Sequence, residues 1–133
     1  MSSPRRIAIR HESDIVEARR EGRALGEQLG FTRGELTVIA TAISEVARNI
    51  VVYAKYGEVI LDVVEDRGRR CLVVVARDEG PGIEDLTRAM SDGFSTAGGL
   101  GLGLPGARRL MDDFEIVSEL GKGTVVTMKK WAR

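Results

Sequence analysis

Histidine and cysteine are almost missing from these 133 residues: His11 and Cys71 are the only ones. Their scarcity removes whole classes of chemistry. Zinc sites draw mainly on several cysteines and histidines, so none is expected. A lone cysteine cannot form a disulfide within the chain. Cys71 opens the apolar run 71–76, which marks a buried thiol rather than a nucleophile. A Ser-His-Asp triad would have to use His11, and no nucleophile-elbow pattern accompanies it. His11 reads as a surface residue at a strand end. Charge of one sign is missing too: 20 Lys and Arg balance 20 Asp and Glu. The arginine pairs at 5–6, 19–20, 69–70 and 108–109 are scattered, not a basic stripe, so no nucleic-acid partner is expected. The N-terminus, MSSPRRIAIRH, lacks the apolar core of a signal peptide, and no stretch reads as approaching the roughly 20 apolar residues of a membrane span. The expectation is a cytoplasmic protein with no membrane partner, whose chemistry runs on carboxylates.

What remains is globular. Hydrophobic residues make up 43% and charged ones 30%, and the length suits a single domain, 1–133. The chain is organised around ELTVIATAISEVARNIVVY, residues 35–53. Thr32 and Glu35 stand at capping-box spacing, so a helix should start near Arg33. Leu36, Ile39, Ile43, Val46, Ala47 and Ile50 form one apolar stripe at helical spacing. Thr41, Glu45, Arg48 and Asn49 fall on the opposite side. Glu45 and Asn49 are one turn apart, hence neighbours. A carboxylate beside an amide could hold a hydrated magnesium ion and a nucleophile; a merely solvated polar face is the alternative.

In chain order, residues 5–10 alternate as a short strand. Ser13 is expected to cap a first helix with Asp14 in its first turn. Gly22 and Gly26 weaken that helix by propensity, and Gly30 closes it with Phe31 behind. After the central helix, residues 58–65 and 71–76 read as an antiparallel hairpin around the turn 66–69. The second strand runs into Asp78-Glu79-Gly80-Pro81-Gly82-Ile83. Gly80 and Gly82 around a proline force a sharp turn and let another molecule approach the backbone, though by themselves these residues favour an ordinary Asx turn. Residues 84–90 are expected to form a short helix. Residues 91–103, SDGFSTAGGLGLG, make poor core and a good mobile lid. Gly99, Gly101 and Gly103 alternate just before a helical stretch at 104–111. Such a loop feeding a helix start is a phosphate cradle in principle, but it is neither a P-loop nor a dinucleotide crossover. Residues 114–120 and 124–130 read as a last hairpin turning at 121–123. Trp131 is expected to pack against the sheet edge or a partner.

Four pieces stand in order: Glu45-x-x-x-Asn49 on a helix, Asp78-x-Gly80-x-Gly82 after a strand, Gly99-x-Gly101-x-Gly103 after a lid, and Gly121-x-Gly123-Thr124 at a hairpin. Together they resemble the ATP-binding domain shared by gyrase, Hsp90, histidine kinases and MutL, the GHKL or Bergerat family. TAISEVARNI, DEGPGI, DGFSTAGGLGLGLPGARRLMDDF and the terminal KKWAR make the likeness closest to the small serine/threonine kinases of bacterial partner-switching systems. The resemblance covers essentially the whole chain. It implies an α/β fold, a two-layer α/β sandwich whose mixed, mainly antiparallel sheet has helices on one face. It implies ATP and Mg2+ as cofactors. It makes Asn49 the magnesium ligand, Asp78 the acceptor for the adenine amine, and Gly80 and Gly82 the glycines that let adenine close in. Thr124 would support the adenine site, and Gly99, Gly101 and Gly103 would surround the phosphates. Glu45 would be the general base that takes the proton from the attacking serine.

Departures from the wider family sharpen this. Histidine kinases commonly carry an amide or histidine where Glu45 stands and a lysine where Val52 stands; both differences point to a hydroxyl acceptor. Some kinases of the group have an arginine just before the last lid glycines, and residues 97–100 offer none. Arg48, Lys55 and Lys122 are the cations that could stand in. The resemblance implies a kinase acting on STAS-domain antagonists of a stressosome that, once released, binds a PP2C-type phosphatase or similar output protein. The alternatives are an anti-sigma factor kinase that sequesters a sigma factor, and a mainly non-catalytic ATP-binding switch. A stand-alone ATPase like gyrase or Hsp90 is the weakest reading, because those proteins couple the domain to long additional domains.

Overall fold

The computed structural model describes residues 3–82 and 103–132. The described elements are β1 (Arg5–Ile9), α1 (Glu12–Gln28), α2 (Arg33–Asn49), a π-helical turn (Ile50–Ala54), β2 (Gly57–Asp66), β3 (Arg69–Asp78), α3 (Gly103–Leu110), β4 (Asp113–Glu119) and β5 (Gly123–Trp131). The strands form one sheet in the order β1-β2-β3-β5-β4. All four pairings are antiparallel, so no parallel part of the expected mixed sheet is found among the described residues. The short helix expected at 84–90 and most of the expected lid lie outside the described residues.

Alternation decides which sheet face is core. Ile7 and Ile9, Val59 and Leu61, Leu72, Val74 and Ala76, and Val126 and Met128 point to one side and merge with the buried faces of α1, α2 and α3. The other side carries Arg6, Glu58 and Arg77, joined through Glu58 at 3.1 and 3.8 Å, beside exposed Val64, Val117 and Val125. The result is two layers with the helices on one face. Trp131 does pack on the sheet. Its indole N–H donates to Asp113 at 3.0 Å, and the Arg69 guanidinium lies 5.0 Å from its ring centroid.

Helix α1 starts differently from expectation. His11, not Ser13, occupies the N-cap. The Asp14 carboxylate reaches back to accept the backbone N–H groups of Arg10 at 2.8 Å and His11 at 2.9 Å. These two donors hold its pKa below the ordinary carboxylate value. The helix ends as expected, with Gly30 N–H returning to Glu27 and Phe31 N–H to Gly26. The capping box at Thr32 and Glu35 is also present, with contacts of 3.1 and 2.9 Å. A Cβ on Gly22 would strike Ile43 Cδ1, and one on Gly26 would lie 2.7 Å from Leu36 Cδ2. The two glycines thus let α1 lie close against α2, which outweighs their poor helix propensity.

Helix α2 is more enclosed than its amphipathic pattern implied. From Thr41 to Ile50 no residue is exposed, because α1 and α3 flank it above the sheet. Together with the π turn it spans Arg33–Ala54, 22 residues of mean hydropathy 1.4, as long and apolar as a membrane span. This corrects the expectation that no such stretch exists. Half of its most apolar window is buried within the protein, as suits a central core helix.

Candidate nucleotide site

The site grows from the C-terminal end of α2. Glu45 does not sit on a solvated face: it is 7% exposed. One of its carboxylate oxygens accepts the backbone N–H of Gly103 at 3.1 Å, where α3 begins. A carboxylate is favoured there, since the first amides of a helix lack intrahelical partners and carry the positive end of its dipole. The other end of α3 is fixed by Lys130, whose ammonium donates to the Leu110 carbonyl at 3.1 Å and lies 3.6 Å from Asp112. Asn49, half-buried, closes α2 one turn beyond Glu45. The chain then widens into the π turn, with Lys55 N–H returning to the Ile50 carbonyl at 2.7 Å and Lys55 in the left-handed region at φ 70°. Single π turns recur at functional sites, where they re-aim the residues beside them.

A row of residues crosses the sheet at the same end. Gly57 pairs with Asp78, Asp78 with Thr124, and Thr124 with Ser118. The alternation of each strand places all four on the helix side. Thr124 is 5% exposed, and its hydroxyl lies 2.8 Å from that of Ser118. Ser118 also donates to the Gly123 carbonyl at 3.3 Å. Asp78 does form the Asx contact, accepting the Gly80 N–H at 2.9 Å. A cleft of about 190 Å³ opens at the strand ends, lined by Tyr56, Gly57, Glu58, Arg77, Asp78 and Glu79. It touches the row at Gly57 and Asp78, while Glu58 and Arg77 belong to the outer face.

The glycines around Asp78 answer first to the protein itself. A Cβ on Gly80 would lie 2.6 Å from that of Ala54. Gly82, at φ 80°, would press a Cβ into the Glu119 carbonyl oxygen, and one on Gly123 would strike the Asp78 carbonyl oxygen. Gly121 N–H donates to the Pro81 carbonyl at 2.9 Å. The turn after β3 and the β4–β5 hairpin are therefore joined backbone to backbone. Sequence reading missed Gly57, Ala54 and Ser118 as members of this site. Ser118 could have been found by pairing it with Thr124 across the last hairpin.

Gly99 and Gly101 lie outside the described residues, and Gly103 is the first residue of α3. Of the proposed phosphate cations, Arg48 is bound to Glu12 at 3.2 Å and Lys122 to Glu119 at 3.2 Å. Lys55 makes no ion pair among the described residues. No group of three or more His, Cys, Asp or Glu side chains stands together among the described residues. Magnesium keeps waters and takes one or two protein oxygens plus phosphate oxygens. The Asn49 side-chain oxygen fits that donor set.

Comparison with known proteins gives this geometry its class. The family model for the histidine kinase-like ATPase domain matches residues 9–130. The chain therefore belongs to that family. The serine/threonine-protein kinase RsbT of Bacillus subtilis (strain 168) is 50% identical over 127 residues, covering 96% of each chain. Within the family the chain groups with the serine/threonine-protein kinases of the RsbT type. The anti-sigma F factor of Thermoanaerobacter sp. (strain X514) is 33% identical over 114 residues, covering 81% of this chain and 78% of that one. The mycobacterial sensor histidine kinase MprB shares the fold, with a TM-score of 0.54 at 16% identity over 100% of this chain and 99% of that one.

Proposed function

We propose that this chain transfers the γ-phosphoryl group of ATP to a serine or threonine of a STAS-domain antagonist in a stressosome. The observation that carries the reading is the buried carboxylate of Glu45, held at the start of α3 one turn from Asn49. Glu45 takes the proton of the attacking hydroxyl, and little more is asked of the protein than positioning and charge. Asn49 contributes its amide oxygen to magnesium, which when bound neutralises phosphate charge. Asp78 accepts the adenine amine, Thr124 supports it, and Gly80 and Gly82 shape that end of the site. Gly99, Gly101 and Gly103 surround the phosphates. Lys55 directly follows the π turn and makes no ion pair among the described residues, and it is the strongest of the three for the γ-phosphate.

The chain acts in the cytoplasm, where ATP and its partners are available. Once its antagonist is phosphorylated, it is released to bind a PP2C-type phosphatase or similar output protein. A second reading, a kinase that sequesters a sigma factor, is favoured by the 33% identity to an anti-sigma F factor. One experiment separates them. The chain is incubated with Mg-ATP and purified STAS-domain, phosphatase and sigma-factor proteins in turn, and intact masses and complexes are recorded. One added phosphoryl group on the STAS protein and a complex with the phosphatase support the first reading. A stable sigma-factor complex supports the second, and absence of transfer to every STAS protein overturns the kinase assignment.

A further inference from the structure

We infer that Lys130 is a positioning residue for phosphoryl transfer: it pins the far end of α3, and through that helix it holds the Gly103 N–H against Glu45. The inference rests on the proposed role of Glu45 as the base. Helix α3 is short, eight residues from Gly103 to Leu110, and its buried side is apolar: Leu104, Pro105 and Ala107. Apolar packing is not directional, so it holds a helix down without fixing where it stands along its axis. Polar contacts at the ends can do that. At the start, Gly103 N–H donates to the Glu45 carboxylate at 3.1 Å. At the other end, the Lys130 ammonium donates to the carbonyl of Leu110, the last residue of the helix, at 3.1 Å. Carbonyls of a last turn have no intrahelical partner and carry the negative end of the dipole, so a cation suits them as a carboxylate suits the start.

The grip on that end comes from consecutive residues of β5. The Lys129 carbonyl accepts the Asp112 N–H at 3.0 Å, Lys130 lies 3.6 Å from the Asp112 carboxylate, and Trp131 N–H donates to the same carboxylate at 2.8 Å. Lys130 is also enclosed: its side chain is 16% exposed, against 74% for Lys122. Its ammonium is therefore held in place rather than swinging through solvent. Whatever else α3 touches, its last residue is tied to the strand that also carries Thr124. A helix of eight residues is about 12 Å long and stiff, so a shift at Leu110 is passed on to Gly103. Misplacing catalytic groups by about 1 Å costs up to about a hundredfold in rate. The proposed adenine end stands on β3 and β5, which are joined by their backbones and not by the Lys130 side chain. Loss of the ammonium should thus act on turnover more than on ATP binding.

The test compares wild type with Lys130→Met, which keeps the stem and removes the charge, and Lys130→Arg, which keeps a charged donor. The readings are the amide NMR signal of Gly103, kcat for transfer to a STAS-domain protein, and ATP affinity in excess Mg2+. Glu45→Ala marks where the Gly103 signal goes when its bond is lost. Lys130→Met should move the signal most of that way and lower kcat by about tenfold or more, with ATP affinity kept within about threefold. Lys130→Arg should bring the signal and kcat back toward wild type. A merely structural role would lower Tm and leave both where they were in the folded protein. A Gly103 signal that stays nearer its wild-type place therefore overturns the inference, as does a loss confined to ATP affinity or a failure of Lys130→Arg to rescue. Should Lys130→Met fail to fold, Lys130→Gln, neutral and shorter, is held to the same outcomes. Wild type that transfers nothing would overturn the kinase reading, while the Gly103 signal still decides the link from Lys130 to Glu45.

Discussion

Alanine at Gly82 should cost far more than alanine at Gly68, although both glycines sit at φ 80°. The shared conformation makes the pair a controlled comparison. A left-handed residue other than glycine costs about 1–2 kcal/mol. Gly68, in the β2–β3 turn, has nothing within 4 Å of an added Cβ, so that cost is all Gly68→Ala should show. Gly82→Ala adds a collision with the backbone of Glu119, whose carbonyl carbon would stand 2.8 Å away, and with Leu120 Cα at 3.1 Å. Backbone cannot rotate aside as a side chain can, and overpacking of this kind adds about 1–3 kcal/mol. For a chain of this size each kcal/mol is worth about 3–4 °C of Tm. Thermal melts should therefore place Gly68→Ala about 3–8 °C below wild type and Gly82→Ala about 6–20 °C below it. Equal shifts for the two variants would refute the close packing of the Asp78 turn against the last hairpin.

Three further outcomes follow from particular contacts. The Asp14 carboxylate has a lowered folded pKa, so the stability it contributes is present above the unfolded value of 3.8 and fades as pH falls through the folded one. Asp14→Asn should flatten that part of the stability-against-pH curve below pH 4; an unaltered curve in denaturant titrations would contradict it. Burial raises the pKa of the Cys71 thiol, so an aromatic disulfide reagent should label it no faster than the protein opens, and at full stoichiometry in denaturant. Fast native labelling would show the thiol is accessible. Arg48→Ala removes an ion pair whose side chains are 29% and 69% exposed, so chemical denaturation should change by less than about 1 kcal/mol. Loss of phosphotransfer with that small change would instead assign Arg48 to the phosphates.

Local chemistry was readable in the sequence and proximity was not. The capping box at Thr32, the Gly30 terminus, both hairpins and the Glu45–Asn49 spacing all follow from short-range rules, and the structure has each of them. Ser13 misled because His11 and Asp14 form an equally good helix start two residues earlier, and nothing local chooses between them. The polar face of α2 was read from its own periodicity, yet burial of Glu45 depends on α3, which lies more than fifty residues further along the chain. Gly22 and Gly26 looked like weak points because propensity sees one helix, whereas their role is the contact between two. Gly80 and Gly82 looked like room for a ligand, and part of that room is occupied by Ala54 and Glu119. Trp131 kept its expected packing role because it lies beside its partners Asp113 and Arg69 on neighbouring strands.

The most direct test of the account is transfer of a phosphoryl group from Mg-ATP to a STAS-domain protein, followed by intact mass, for wild type beside Glu45→Ala. ATP affinity of both proteins is measured on the same preparations. If Glu45 is the base, the variant still binds ATP and adds no phosphoryl group to serine or threonine within the time wild type takes to reach completion. Transfer by Glu45→Ala at the wild-type rate would contradict it, and would move the search for the base away from the carboxylate at the start of α3.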